Sequence, residues 1–146
     1  MSSTVFTIGF THKRAEDFFR ILQSAGVQRV VDVRLHNTGQ LAGFTKRDDL
    51  PFFLRSIARI EYLPLPILAP QASDLSAYRA GTMTWADYAT SYKRLLVKRH
   101  VQTELKSVLN DGDCFLCSEA TADHCHRRIA AEYLQQHWPS LRVVHL

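Results

Sequence analysis

The chain has 146 residues, 46% of them hydrophobic and 22% charged, enough to bury one sizeable core without requiring a second domain, so residues 1–146 are read as a single domain. No apolar run approaches membrane-spanning length, the first residues lack the basic start of a secretory signal, and three cysteines are an odd number for a disulfide framework. The expectation is a cytosolic protein with no membrane partner and with free thiols, whose net charge of +4 favours an anionic partner such as a nucleotide, a phosphate ester or a nucleic acid.

Thr4 to Ile8 is rich in β-branched and aromatic residues and reads as a first strand that ends at Gly9. Residues 14–25 carry Phe18, Phe19, Ile21, Leu22 and Ala25 at helical spacing, with Gly26 suited to the C-cap. Arg29 to Leu35 has strand composition, and the period of two puts Asp32 and Arg34 together on one face, away from Val31 and Val33. His36 to Arg47, with two glycines and a basic end, suits an ordered surface loop that closes over a ligand. A helix over 52–58 follows, with Pro51 in its first turn, and then a third strand over 61–67 that Pro64 and Pro66 restrict to an edge.

Residues 69–83 read as irregular. Thr84-Trp-Ala-Asp87 matches a capping box and opens a long helix expected to run to about Leu109. Cys114 to Leu116 reads as a buried strand, residues 128–138 as an amphipathic helix, and Leu141 to Leu146 as a last strand after Pro139. This alternation predicts an α/β fold: a mostly parallel sheet of about five strands with helices on both faces, a Rossmann-like half. Right-handed crossovers would make strands one and two neighbours, with strand four on the other side of strand one.

All three cysteines fall in one stretch, Cys114 to Arg128, which also holds Glu119, Asp123, His124, His126 and Arg127 at a strand-to-helix turn. In open α/β sheets ligands bind at such turns. Cys114-x-x-Cys117 and Cys125-His126 superficially resemble two zinc-ligand pairs, yet residues three apart on a strand point to opposite faces. A reduced zinc set would use Cys117, Glu119, Cys125 and one of His124 or His126, whereas the commoner role of a cysteine near a strand is apolar packing.

A second reading gathers an acid/base and anion site at the strand ends. Asp32 and Glu119 would be the catalytic carboxylates, Cys117 a thiol beside them and His126 an alternative proton-transfer group. Arg34, Arg127, Thr11, His12 and the N-terminus of the last helix would hold the anion. A helix N-terminus and nearby arginines would also lower a thiol's pKa, so a nucleophilic Cys117 or Cys125 is a further option. The plainer explanation is a set of internal salt bridges, Asp32 with Arg127 and Glu119 with Arg34. A third reading is nucleic-acid binding without catalysis, through Lys46-Arg47, Arg55 and Arg59 or the 93–100 basic run, with Phe44, Tyr78 and Trp85 for stacking; such runs more often mark a solvated face.

Thr7-Ile-Gly9, Val31-Asp32-Val-Arg34, and Leu116-Cys117-Ser-Glu119 followed by Cys125-His126-Arg127 together resemble the family called domain of unknown function 488, in order and over nearly the whole chain. The chain departs from that family's pattern at His36 to Phe44 and at Leu68-Ala-Pro70. The resemblance implies a compact α/β domain with one shared site at the matching positions Asp32, Arg34, Cys117, Glu119, Cys125, His126 and Arg127. It implies no established activity or cofactor. The expected function is an enzyme acting on a phosphate-bearing substrate, a nucleotide or nucleic acid, by hydrolysis or transfer; the alternative is a nucleic-acid-binding or zinc-stabilised module.

Overall fold

The computed structural model describes residues 3–37, 43–119 and 122–146. Five strands, β1 Ser3–Gly9, β2 Arg29–Asp32, β3 Glu61–Pro64, β4 Asp113–Cys117 and β5 Leu141–His145, form one sheet in the order β3-β2-β4-β1-β5 with every pairing parallel. This is the expected α/β architecture, with one correction. β1 and β2 are not neighbours, because β4 lies between them and pairs with both. Among the described strands β4 alone has every residue buried, so the most protected place in the sheet falls to the strand that leads into the cysteine-rich turn.

Both faces of the sheet are covered, and period two decides which residue faces which layer. On one face Ile8, Val30, Cys114 and Leu116 pack with Phe18 and Leu22 of α1, Ala15–Ala25, and with Leu50 and Leu54 of a helix that starts as α2, Leu50–Phe53, and continues as a π turn, Leu54–Ala58. On the other face Val5, Val31, Val33 and Phe115 pack with Tyr92 and Leu96 of α4, Trp85–Lys98, and with Ile129, Ala130 and Leu134 of α6, His126–His137. Between β3 and α4 the chain forms α3, Ala72–Arg79, where the sequence pattern had indicated irregular chain. None of its residues is fully buried, so it carries no apolar stripe for periodicity to detect.

Helix ends follow local chemistry. Gly26 takes the left-handed conformation at the C-cap of α1 (φ 80°), and Thr84 Oγ1 accepts from the Asp87 N–H at 3.1 Å. The long helix expected to reach Leu109 stops at Lys98. His100 adopts a left-handed backbone (φ 51°), and the chain restarts as the short α5, Val101–Glu104. Arg99 turns back at this break to donate to the carbonyls of Ile67 and Ala69 at 2.8 and 2.6 Å. β3 with Pro64 is an edge strand, as its prolines require. Among the described residues no helix is long and apolar enough to cross a membrane.

α1 leaves the carboxyl end of β1 on one face, and α6 leaves the carboxyl end of the adjacent β4 on the other. This divergence opens a crevice between the two strand ends, the place where open parallel sheets bind ligands.

Candidate functional site

Gly9 and Cys117 end β1 and β4 in register. The chain beyond Cys117 folds back over Gly9 so closely that a Cβ there would lie 1.4 Å from the Glu119 carbonyl oxygen. The Thr11 N–H donates to the Ser118 carbonyl at 3.1 Å, and the Thr11 hydroxyl donates to the same oxygen. Together these contacts hold the Ser118–Glu119 loop against the end of β1 and leave a cleft on its α4–α6 side. The cleft is lined by Arg34, Leu35 and His36 after β2, by Leu75, Tyr78 and Arg79 of α3, by Tyr88 of α4, and by Cys117, Ser118, Glu119, His124, Cys125 and His126.

Its floor is a compact group of three donors. The Cys125 thiol donates to Cys117 Sγ at 2.7 Å, and Cys117 Sγ lies 3.5 Å from His126 Nδ1. His126 Nε2 is 2.8 Å from the Val33 carbonyl oxygen, which can only accept, so Nε2 carries a proton and Nδ1 is the ring nitrogen turned toward the sulfurs. All three residues are buried. Burial pushes the Cys117 thiol up, but the hydrogen bond from Cys125, the Glu119 N–H, the Arg127 charge and the Ser118 N–H together outweigh it and bring the thiol below its ordinary value. Burial and the donated hydrogen bond to Cys117 hold Cys125 well above its own. The two thiols therefore differ in acidity, Cys117 being the more readily ionised. Tyr88, raised first by burial and then by the charge of the two sulfurs, stands beside them as a neutral phenol.

Of the residues singled out in the sequence, Cys117, Glu119, His126 and Arg34 do meet in this cleft, and Asp32, Thr11, His12 and Arg127 do not. Asp32 and Arg34 share a face, as period two requires, but they close on each other. Arg34 Nε and Nη2 donate to the two Asp32 oxygens at 2.8 Å each, Tyr62 donates its hydroxyl to the same carboxylate at 2.5 Å, and Arg34 Nη2 also donates to the Thr45 carbonyl at 2.6 Å. Arg34 additionally lies over the Phe10 ring, 5.5 Å from its centroid. The carboxylate pair of Asp32 and Glu119 is thus not formed: Asp32 is consumed in a buried ion pair on the α1 side of the sheet, while Glu119 is exposed at the cleft mouth.

Arg127 is a second correction. It is fully buried, with Nε donating to Thr7 Oγ1 at 3.3 Å and Nη1 to the Glu119 carbonyl at 2.7 Å, while Nη2 has no hydrogen-bond partner among the described residues. As the second residue of α6 it points back along β1, so it acts as a positive charge behind Cys117 and a prop for the loop rather than as a wall of the cleft. Neither suggested salt bridge, Asp32 with Arg127 or Glu119 with Arg34, is present. Thr11 is spent on the Ser118 carbonyl, and His12 is exposed with a left-handed backbone (φ 61°).

Cys114 faces the α1-side core, where burial pushes its thiol up, so the Cys114-x-x-Cys117 spacing does not make a ligand pair. The donors able to hold a metal are Cys117, Cys125 and His126, whose ligand atoms all lie within 4.8 Å of one another. His124 instead packs against Trp85 with tilted rings, centroids 5.0 Å apart, at the rim. The cleft also holds Arg79 and Tyr88, which the sequence did not single out for a site, Tyr78, expected only as a stacking residue of a nucleic-acid surface, and His36, expected only as part of a closing loop. Tyr78 and Arg79 come from the surface helix α3, and only the run of aromatics Tyr78, Trp85 and Tyr88 hinted at a cluster. The loop expected to close over a ligand includes residues 38–42, which lie outside the described residues, as do 120 and 121 of the central stretch.

An all-parallel α/β sheet with a buried thiol–imidazole group at its carboxyl edge defines the class. The chain belongs to the family described as domain of unknown function DUF488, whose model matches residues 14–134. No curated protein and no solved structure matches it.

Proposed function

We propose that the chain is an enzyme acting on a phosphate-bearing substrate, a nucleotide or a nucleic acid, by hydrolysis or transfer, with the cleft over Cys117 as its active site. The observation that carries the reading is the composition of the cleft. A desolvated thiol–imidazole floor, with His126 locked in one tautomer, opens onto walls bearing Arg34, Arg79, His36 and His124 against a single carboxylate, Glu119. The exposed Arg79 guanidinium favours an anion, and the stacked rings of Tyr78 and Tyr88, centroids 5.0 Å apart, offer an apolar face of the kind on which a base or sugar packs. Glu119, exposed at the mouth, is the proton-transfer group, and the Cys117 group supplies the reacting centre below it.

The test is a screen of nucleosides, nucleotides, phosphate monoesters and oligonucleotides with the wild type and a Glu119→Gln variant. We expect turnover by the wild type, a loss of about 10²–10⁴-fold in the variant, and nucleotide binding retained within a few-fold. If neither protein turns over anything, yet both bind oligonucleotide equally with a steep salt dependence, a nucleic-acid-binding module replaces the enzyme.

A further inference from the structure

We infer that Cys117, Cys125 and His126 form a binding site for one zinc ion, held by two sulfurs and one imidazole nitrogen with its fourth position open to the cleft.

Three geometric observations carry this. The donor atoms come from two short stretches, the end of β4 and the first turn of α6, and are within 4.8 Å of one another, so a single ion can reach all three without movement of the backbone elements. The His126 ring is already set as a ligand. Its Nε2–H is committed to the Val33 carbonyl at 2.8 Å, which orients Nδ1 at the sulfurs, and metal-bound imidazoles are ordinarily anchored through the opposite nitrogen in this way. The donors are also buried and chemically soft, a set of two sulfurs and one nitrogen that suits zinc over magnesium or calcium.

A zinc–sulfur bond of about 2.3 Å at a tetrahedral angle separates two sulfurs by about 3.7 Å. Loading the site therefore opens the 2.7 Å Cys117–Cys125 contact by about 1 Å, within the reach of cysteine side-chain rotation, and releases whatever protons the two thiols carry.

Three protein ligands are one fewer than a closed structural zinc site uses, and sites of this kind keep a fourth position for water or substrate. That position faces the space lined by Glu119, His124 and Arg34. Cys114 is excluded by its place in the opposite core, and Glu119 and His124 line the same cleft outside the three-donor group. The ion would thus sit at the floor of the proposed active site. The inference rests on that reading only for its catalytic meaning, not for binding itself.

The experiment is elemental analysis of the full chain purified under reductant without added metal, followed by stripping with a chelator and titration with cobalt(II) as a spectroscopic stand-in. We expect about one zinc per chain and, on titration, a thiolate-to-cobalt charge-transfer band with the visible absorption of a tetrahedral ion. Inorganic phosphate should perturb that visible absorption, because the fourth position is open. Cys125→Ser and His126→Gln should each weaken binding at least tenfold, and Cys114→Ala should bind as the wild type does. Absence of metal together with absence of a charge-transfer band would overturn the inference, as would a Cys125→Ser variant that binds as tightly as the wild type. Absence of metal and of a charge-transfer band in protein that still turns over substrate would sink the zinc site and leave the enzyme standing; stoichiometric metal with no turnover of any substrate would do the reverse.

Discussion

Asp32 and Arg34, two residues apart where β2 ends, are joined by two hydrogen bonds of 2.8 Å, with Arg34 closing back on its own strand and Tyr62 completing the carboxylate at 2.5 Å. Asp32 is almost wholly buried, so neutralising it leaves a desolvated guanidinium without its counter-charge. Asp32→Asn should therefore cost about 3–5 kcal/mol in chemical denaturation, and Tyr62→Phe roughly 1.5–3 kcal/mol, the range for a hydrogen bond to a charged group. The activity of the fraction that remains folded should stay close to wild type in the first variant. A stable Asp32→Asn protein that has lost turnover would return Asp32 to the catalytic group.

Gly9 is required for a packing reason rather than for its φ. The Glu119 carbonyl occupies the position of a Cβ, and the neighbouring Arg127 Nη1 lies 2.9 Å from that same position. Both atoms belong to the arrangement that holds the cleft floor, so Gly9→Ala must displace the Ser118–Glu119 loop. We expect a loss of about 3 kcal/mol or more and loss of the cleft's ligand binding. A melting temperature within a degree of wild type would show that the loop yields freely.

Much of this fold was legible, and the failures share a cause. Strands and buried helices announce themselves through residues that face the core. Thr4 to Ile8, Phe18 to Ala25 and Cys114 to Leu116 were therefore readable, and period two correctly put Asp32 with Arg34 and sent Cys114 away from Cys117. Periodicity reports which face a residue takes but not which strand lies beside it. The insertion of β4 between β1 and β2 was thus invisible, and with it the fact that the sheet separates Asp32 from Cys117. α3 faces solvent and one wall of the cleft, so Arg79 and Tyr78 left no periodic trace. Cys117, His126 and Glu119 were found because local spacing at a strand-to-helix turn determines their meeting.

A chain of hydrogen bonds under β1 gives a pH dependence of known sign. Arg127 Nε–H donates to Thr7 Oγ1, whose own proton is then directed to His145 Nδ1 at 2.6 Å, which requires a neutral imidazole. Burial lowers the pKa of His145; Glu132, 3.9 Å from its Nε2, opposes this shift, and Arg127 and Arg128 reinforce it. The folded value is below the unfolded value of about 6.5, so the unfolded chain takes up the proton first. Stability is fully present above that value and is lost as the pH falls through it toward the folded one. His145→Gln keeps an acceptor for Thr7 without titrating. Denaturation midpoints at pH 7.5 and 5.5 should fall further apart in the wild type than in the variant, and equal differences would remove His145 from the acid limb.

Arg79 tests whether the cleft selects anions. It lines the cleft from the last turn of α3, is exposed, and forms no part of either core, so its removal costs little stability. Arg34 is a poorer probe, because its substitution would strip Asp32 of its partner and unfold the site along with the charge. One charge-assisted hydrogen bond of about 1.5 kcal/mol corresponds to roughly a tenfold change in affinity. Arg79→Gln should therefore weaken binding of a nucleoside monophosphate about tenfold while leaving the parent nucleoside unaffected. The salt dependence of monophosphate binding should become shallower, because one fewer cation meets the phosphate. Calorimetric titration of both ligands at two salt concentrations measures all of these quantities. Equal weakening for nucleoside and monophosphate would mean that Arg79 shapes the wall rather than reading the phosphate, and the anion would then have to be assigned to His36 and His124.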